Sequence, residues 1–369
     1  MNLPAALNVL ATRPLPTPAE LGAALPATAA HAAVVSQARD TIRQLMLGLD
    51  PRLFVVVGPC SIHDVVAGRE YARRLADLAR ELDDRLVIAL RAYFEKPRTA
   101  LGWAGLILDP TLDAGGQVAE GLHLARAFLR DVLALGLPTA TEFLDPLVPP
   151  YLADLVCWSA IGARTTESQP HRQLASGLAM PVGFKNGTDG RIQNAVNAVN
   201  AARRPQILLG LAPDGRPTAY RTAGNPHCHV VLRGGALGPN FSAPHIAAVE
   251  SLLERENLPR AIMVDCSHDN SGRRHERQLD VLADVQQQIA AGNRSIFGLM
   301  LESHLSAGSQ LLRLPRVALR YGVSITDGCL DWDSTERCLR ETHAALAPRC
   351  GGRVGPRPPA TALVTMDHR

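Results

Sequence analysis

Lysine is almost missing from this chain. Of its 38 basic residues, counting along the 369 positions finds 36 arginines and two lysines, Lys96 and Lys185. Where arginine serves as the general cation, a position that keeps a compact ammonium is a candidate for work that a wide, always-charged guanidinium cannot do. Chance placement is the alternative reading, and both lysines lie inside motif-like segments. A large charge imbalance is missing too: 35 acids leave a formal charge of +3, and the basic residues are interspersed rather than run together. That excludes the electrostatic footprint of a nucleic-acid-binding or membrane-surface protein. No run approaches the ~18 apolar residues of a membrane span. The N-terminus has no basic region followed by an apolar stretch, and Pro4, Pro14, Pro16, Pro18 and Pro26 interrupt it, so no signal peptide is read. The seven cysteines are odd in number and form no CxxC pair, which argues against a disulfide framework or a zinc cluster and fits a reducing cytoplasm.

What is present is an ordinary globular composition, 46% apolar and 20% charged, in a chain long enough for two or three domains or one large barrel. Thr28 is placed to cap a helix over about 29–47, where Val34, Val35, Ile42, Leu45 and Met46 recur at helical spacing. From Leu53 onward, eight short apolar or β-branched runs alternate with helical stretches: LFVVVGPCS, LVIALRAYF, PTATEFLD, LVCWSAIGA, MPVGFKNG, HVVLRGG, AIMVDCSH and SIFGLMLESH. This order predicts an α/β fold, a (β/α)8 TIM barrel. One segment, 207–222, reads instead as two strands around the turn Asp214-Gly215, a hairpin inserted before barrel strand six. The expected organisation is an N-terminal extension with a helix (1–48), a catalytic barrel (49–347) including the hairpin insertion (206–223), and a flexible C-terminal tail (348–369).

A polar or reactive residue stands at or just beyond the end of each expected strand: Cys60, Arg91, Glu142, Arg164, Lys185, Arg233, His268 and Glu302. Loops are polar in any fold, but barrel strands converge on one mouth, where barrel active sites lie, and this set mixes a thiol, an imidazole, carboxylates and cations. Arg91, Lys96, Arg164, Lys185 and Arg233 make a cationic pocket that calls for anions of comparable charge, a phosphate together with a carboxylate. Cys60, His268, Glu302 and Asp327 offer a soft sulfur, an imidazole and two carboxylates, suited to a divalent transition ion. Taken singly, Cys60 reads as a small buried hydrophobe and His268 as a core histidine. His63, His304 and Asp265 are possible substitutes, and Cys266 and Cys329 read as packing residues. The segment FEKPRT (94–99) sets two cations and a hydroxyl around the rigid Pro97 and can seat a second phosphate.

GPCSIHD (58–64), FEKPRT, GARTTESQ (162–169), GFKNGTDG (183–190), LRGG (232–235), DCSHDNS (265–271) and ESH (302–304) together resemble type I 3-deoxy-D-arabino-heptulosonate 7-phosphate (DAHP) synthase, over nearly the whole chain. The resemblance implies a metal-dependent condensation of phosphoenolpyruvate with erythrose 4-phosphate, the first step of the shikimate pathway to chorismate and the aromatic amino acids. It implies that Cys60, His268, Glu302 and Asp327 hold one divalent metal ion, Mn2+, Fe2+ or Co2+. Arg91, Lys96, Arg164, Lys185 and Arg233 would bind phosphoenolpyruvate with Glu142 alongside, and Pro97, Arg98 and Thr99 would bind erythrose 4-phosphate. Lys96 or Lys185 is the expected proton carrier, so Lys96, Lys185, Cys60 and His268 are the expected catalytic residues. An allosteric aromatic amino acid, Tyr favoured, is expected near Pro149, Pro150, Leu178, Ala179 and Gly210, in a homodimer or homotetramer.

Departures from the family pattern are Leu108, the pair Gly115-Gly116, and Ala179, where the family usually has Ser. The rival readings are a sister synthase that uses arabinose 5-phosphate and a non-catalytic regulatory paralogue. The second would require lost ligands, and none is missing.

Overall fold

Apart from their last residues, LFVVVG, LVIALR and IFGLMLE have no polar position to turn toward water. Strands made from them need cover on both faces, which a barrel wrapped in helices supplies. The computed structural model describes residues 8–98, 102–312 and 318–346; Thr99 and the expected tail over 348–369 lie outside them. In chain order the strands are β1 (Leu53–Gly58), β2 (Leu86–Arg91), β3 (Thr139–Glu142), β4 (Trp158–Ile161), β5 (Val182–Lys185), β6 (Ile207–Leu211), β7 (Pro217–Arg221), β8 (Cys228–Leu232), β9 (Ile262–Asp265) and β10 (Ile296–Glu302). Eight of them form a closed barrel, β1-β2-β3-β4-β5-β8-β9-β10 and back to β1, parallel throughout. Every residue of those eight strands is buried. β6 and β7 form the antiparallel hairpin, between the helix Gln193–Ala202 and the sixth barrel strand, β8.

The capped helix runs Ala29–Met46, with Thr28 Oγ1 accepting from His31 N at 3.2 Å. A shorter helix before it, Pro18–Ala24, has its own capping box, Thr17 with Glu20. Proline at the first helical position starts that helix rather than breaking it. The final residue of GPCSIHD has a local task as well. Asp64 Oδ1 accepts from Val66 N at 2.9 Å and Ala67 N at 3.3 Å, starting the helix Val65–Glu81.

A plug of rings fills the barrel below the mouth. Phe54, Trp158, His229 and Phe297 come from β1, β4, β8 and β10, with His229 and Phe297 centroids 4.8 Å apart and Trp158 Nε1 donating to His229 Nε2 at 2.9 Å. Gly183 makes room for it, since a Cβ there would stand 2.6 Å from both Trp158 Cζ2 and Val231 Cγ2. This close-packed floor leaves the space for chemistry at the carboxyl ends of the strands.

Candidate active site

A cavity of about 240 Å³ opens at that end, lined by Arg91, Lys96, Pro97, Arg98, Glu142, Arg164, Lys185, Arg233, His268 and Asp327 among the residues singled out above. Gly162, Ala163, Arg273 and Thr326 complete the wall. Cys60 and Glu302 lie deeper, out of solvent. Gly162 allows the wall to close: a Cβ there would sit 2.3 Å from Glu142 Oε1.

The cations are held by different means. Arg91 donates from Nη1 to Pro59 O at 2.5 Å and to Cys60 O at 2.6 Å, pairs through Nη2 with Glu302 Oε1 at 2.8 Å, and lies 3.7 Å over the Tyr93 ring. Its Nε is buried without a hydrogen-bond partner. Most of this guanidinium is therefore engaged in shaping the Cys60 turn and the Glu302 carboxylate. Lys96 Nζ donates to Cys60 O and Cys60 Sγ, each at 3.1 Å. Burial opposes the Lys96 charge, but Cys60, Glu302 and Asp327 outweigh it and hold the ammonium above its ordinary value. Lys185 Nζ pairs with Asp265 Oδ2 at 3.1 Å. Burial works against the Asp265 charge too, yet His268 and Lys185 keep this carboxyl well below the usual range. Arg233 Nη1 bonds Asp269 Oδ2 at 2.5 Å.

Cys60 Sγ and carboxylate oxygens of Glu302 and Asp327 lie within 4.8 Å of one another. His268 is not in that mutual group; its Nε2 stands 3.8 Å from Glu302 Oε1. Its orientation is nonetheless compatible with ligation. Ser267 Oγ donates to Asp265 Oδ1 at 2.7 Å, and His268 Nδ1 lies 2.6 Å from Ser267 Oγ and 2.9 Å from Asp265 Oδ2. Nδ1 therefore carries the proton, and Nε2 keeps its lone pair on the Glu302 side. Glu302 Oε1 is buried with no aligned hydrogen bond. A buried carboxylate oxygen with no aligned hydrogen bond, beside a thiol and a second carboxylate, fits a divalent transition ion. Burial first, then Glu302, pushes the Cys60 thiol up, while Lys96 and Arg91 pull it down.

The other candidate ligands are placed elsewhere. His63 and His304 face each other with centroids 6.0 Å apart, beside Trp103 and Tyr71, and burial lowers His304 to about 4. Asp265 orients His268 and Lys185 from behind. Cys329 is buried, as packing predicts, and its Sγ also accepts from Cys60 N at 3.4 Å. All six described cysteines are unpaired.

Several supporting residues escaped the sequence reading. Asn186, Asn240 and Asn270 form a buried network around the LRGG turn: Asn186 Oδ1 accepts from Arg233 N at 2.9 Å, Asn240 Oδ1 from Gly234 N at 2.8 Å, and Asn270 Nδ2 donates to Leu232 O at 3.1 Å. Glu95, inside FEKPRT, accepts from Leu144 N at 3.2 Å and Asp145 N at 2.9 Å, linking the loops after β2 and β3; burial raises it to about 8. Asn186, Asn270 and Glu95 lie within quoted motifs, so a motif read past its charged strand-end members contains that signal. Arg273 has no such marker.

The expected effector residues lie on the barrel's outside. Leu178 and Ala179 follow the helix Gln169–Gly177; Asn225 Nδ2 donates to Leu178 O at 3.1 Å and Arg43 Nη2 to Ala179 O at 2.9 Å. Gly210 lies in β6, where a Cβ would meet the Tyr220 ring at 3.5 Å. Pro149 and Pro150 open the short helix Pro149–Leu152. The helix Pro18–Ala24 and the residues before it connect that region to the hairpin, since Tyr151 Oη donates to Pro16 O and Ala19 N to Pro213 O, each at 2.8 Å. Of the departing positions, Leu108 is exposed and Gly116 takes a positive φ of 65°.

Among known families, the DAHP synthetase I family matches residues 28–340. The chain is 50% identical over 340 residues to the Tyr-sensitive phospho-2-dehydro-3-deoxyheptonate aldolase of Salmonella typhimurium, covering 92% of this chain and 95% of the relative. It is 50% identical over 345 residues to the Phe-sensitive enzyme of Escherichia coli, covering 94% and 98%. A phospho-2-dehydro-3-deoxyheptonate aldolase structure from Francisella tularensis superposes with a TM-score of 0.90 at 43% identity, covering 93% of this chain and all of that one.

Proposed function

The chain belongs to the DAHP synthetase I family, and from that premise we propose that the barrel mouth joins phosphoenolpyruvate to erythrose 4-phosphate through the residues described above. Its activity is that of a DAHP synthase, a transferase that performs the first step of aromatic amino acid biosynthesis. The observation that carries the residue assignment is the convergence of Lys96, Arg164, Lys185 and Arg233 on one cavity whose floor holds Cys60, Glu302 and Asp327. A phosphate and a carboxylate on one small substrate match that charge.

In this reading Arg164, Lys185 and Arg233 hold phosphoenolpyruvate, with Glu142 alongside and the Nε edge of Arg91 below. Fixing both substrates in one orientation removes the entropic cost of their encounter at the bond-forming step. C3 of phosphoenolpyruvate attacks C1 of the aldose phosphate, water adds at C2, and phosphate leaves by C–O cleavage. Lys96 donates to the aldehyde oxygen as it gains charge, and its proton neutralises the resulting alkoxide. Cys60, Glu302, Asp327 and His268 Nε2 would hold the divalent ion, Mn2+, Fe2+ or Co2+, which supplies Lewis acidity at the aldehyde. Pro97 and Arg98 are the described part of the aldose-phosphate loop; Arg98 Nε is steadied by Trp103 O at 2.8 Å.

The outer surface between the 149–152 helix, Ala179 and the hairpin takes an aromatic amino acid, with Tyr preferred. A homodimer or homotetramer in the cytoplasm completes the reading; no helix among the described residues is long and apolar enough to cross a membrane.

The test follows phosphoenolpyruvate absorbance with erythrose 4-phosphate and, separately, with arabinose 5-phosphate. Consumption with the four-carbon sugar, abolished by chelation and restored by Mn2+, Co2+ or Fe2+, is the expected result. Preference for arabinose 5-phosphate points to the sister reaction, and full turnover in metal-free protein would falsify the metal assignment. Cys60→Ala stays folded and loses nearly all turnover, because the residue lies at a strand end above an intact barrel core.

A further inference from the structure

Arg273 lines the main cavity beside Thr326 and Asp327, and also borders a small cavity behind His268 with Glu302 and Asp327. Its setting is specific. The turn after β9 passes through left-handed backbone at His268 (φ 54°), Gly272 (φ 59°) and Arg273 (φ 60°), and Arg273 N donates back to His268 O at 2.7 Å. Residues with a Cβ adopt that region at a cost, and an outlier beside a site is a reason to ask what it positions.

The side chain is aimed by one bond. Arg273 Nε donates to Asp269 Oδ1 at 2.9 Å, while Asp269 Oδ2 takes Arg233 Nη1 at 2.5 Å. Among the described residues no other hydrogen bond engages the Arg273 side chain, so both terminal amino groups keep their donors for a ligand. Asp269 thus carries two guanidinium groups on one carboxylate, Arg233 buried and Arg273 59% exposed at the rim. The Arg273 charge also reaches Asp327, which Lys96, His268 and Arg273 hold below the usual carboxylate range against the effect of burial.

We infer that Arg273 is a further substrate-binding residue, taking the phosphate of the aldose phosphate at the rim of the cavity whose wall it shares with Arg98. The inference rests on the reading of this pocket as the site for phosphoenolpyruvate and an aldose phosphate. An aldose phosphate carries its carbonyl and its phosphate at opposite ends. With the carbonyl at the Cys60, Glu302 and Asp327 floor, the phosphate extends outward, where a dianion loses least hydration and a planar fork with free donors can meet it.

Arg273→Ala and Arg273→Lys, assayed by phosphoenolpyruvate consumption, test the assignment. Arg273→Ala raises KM for erythrose 4-phosphate by about tenfold or more while KM for phosphoenolpyruvate stays within about twofold, and Arg273→Lys recovers part of the loss. With erythrose, which lacks the phosphate, wild type and Arg273→Ala have equal kcat/KM. An unchanged KM for erythrose 4-phosphate, or a change confined to phosphoenolpyruvate, overturns the inference. An equal loss with erythrose does so too, because Arg273 would then serve the shape of the His268 turn. If the wild type itself fails to consume phosphoenolpyruvate with erythrose 4-phosphate, it is the reading of the pocket that fails.

Discussion

Arg91 Nη2 lies 2.8 Å from Glu302 Oε1, and both side chains are withdrawn from solvent. The pair joins the end of β2 to the end of β10 across β1, and the same guanidinium donates to the carbonyls of Pro59 and Cys60. Removing one partner leaves the other charge buried and uncompensated. Arg91→Ala is expected to lower the unfolding free energy by about 3–5 kcal/mol, measured by chemical denaturation of metal-free protein. A loss below ~1 kcal/mol would show that the pair contributes little to the fold.

Lys185→Arg keeps the charge and changes the shape. The ammonium fits between Asp265 Oδ2, at 3.1 Å, and the Tyr93 ring, whose centroid is 5.7 Å away. A planar fork cannot occupy that space without displacing a neighbour. kcat/KM should fall by roughly 100-fold, equivalent to ~2.7 kcal/mol, in a protein whose circular dichroism is unchanged. Wild-type kinetics would return the two-lysine pattern to chance.

His229 makes the fold sensitive to acid. Nε2 accepts from Trp158 Nε1 at 2.9 Å, so Nδ1 carries the proton, 3.1 Å from Val230 O. A charged ring would face the indole N–H with a second donor, and burial lowers the pKa from 6.5 to about 4. Between those values the unfolded chain takes up a proton that the folded chain refuses, so stability is lost as pH falls from about 6.5 to about 4, by up to ~3 kcal/mol. Denaturant melts of wild type and His229→Asn across that range should differ in slope, with the wild type steeper. Parallel slopes would remove His229 as the cause.

Ala179 bears on control. A serine there restores a hydroxyl beside the expected effector site, and one neutral hydrogen bond contributes ~0.5–1.5 kcal/mol, roughly three- to tenfold in affinity. Wild type should therefore respond weakly to Tyr and more weakly to Phe, and Ala179→Ser should tighten whichever effector binds. Inhibition curves with Phe, Tyr and Trp decide it; strong, selective inhibition by Phe would overturn the preference for Tyr.

The barrel, its eight strands and the inserted hairpin were legible because each rests on a local pattern. Runs such as LFVVVG have no face for water, and Asp214-Gly215 between two β-prone segments reads as a turn. The strand-end rule also located six of the residues that line the cavity, because in a parallel barrel the carboxyl end of every strand points to the same mouth. The asparagines around LRGG and Glu95 were harder to see, since their work is to satisfy backbone groups on loops whose approach exists only after closure.

The amino-acid order by itself determined the sequence of the strands, which residues stand at or beyond their carboxyl ends, and that cations gather there. Those are properties of short segments and of charge. Tertiary structure alone decided how the residues divide the work: that Arg91 is largely engaged by Glu302 and two carbonyls, that His268 points its Nε2 toward Glu302 because Asp265 and Ser267 hold the other face, and that Asp269 bridges Arg233 and Arg273. Each depends on ångström-scale contacts, several of them between segments far apart in sequence. A charged side chain's role is set by which partner reaches it first, and the order of residues along the chain does not contain that distance.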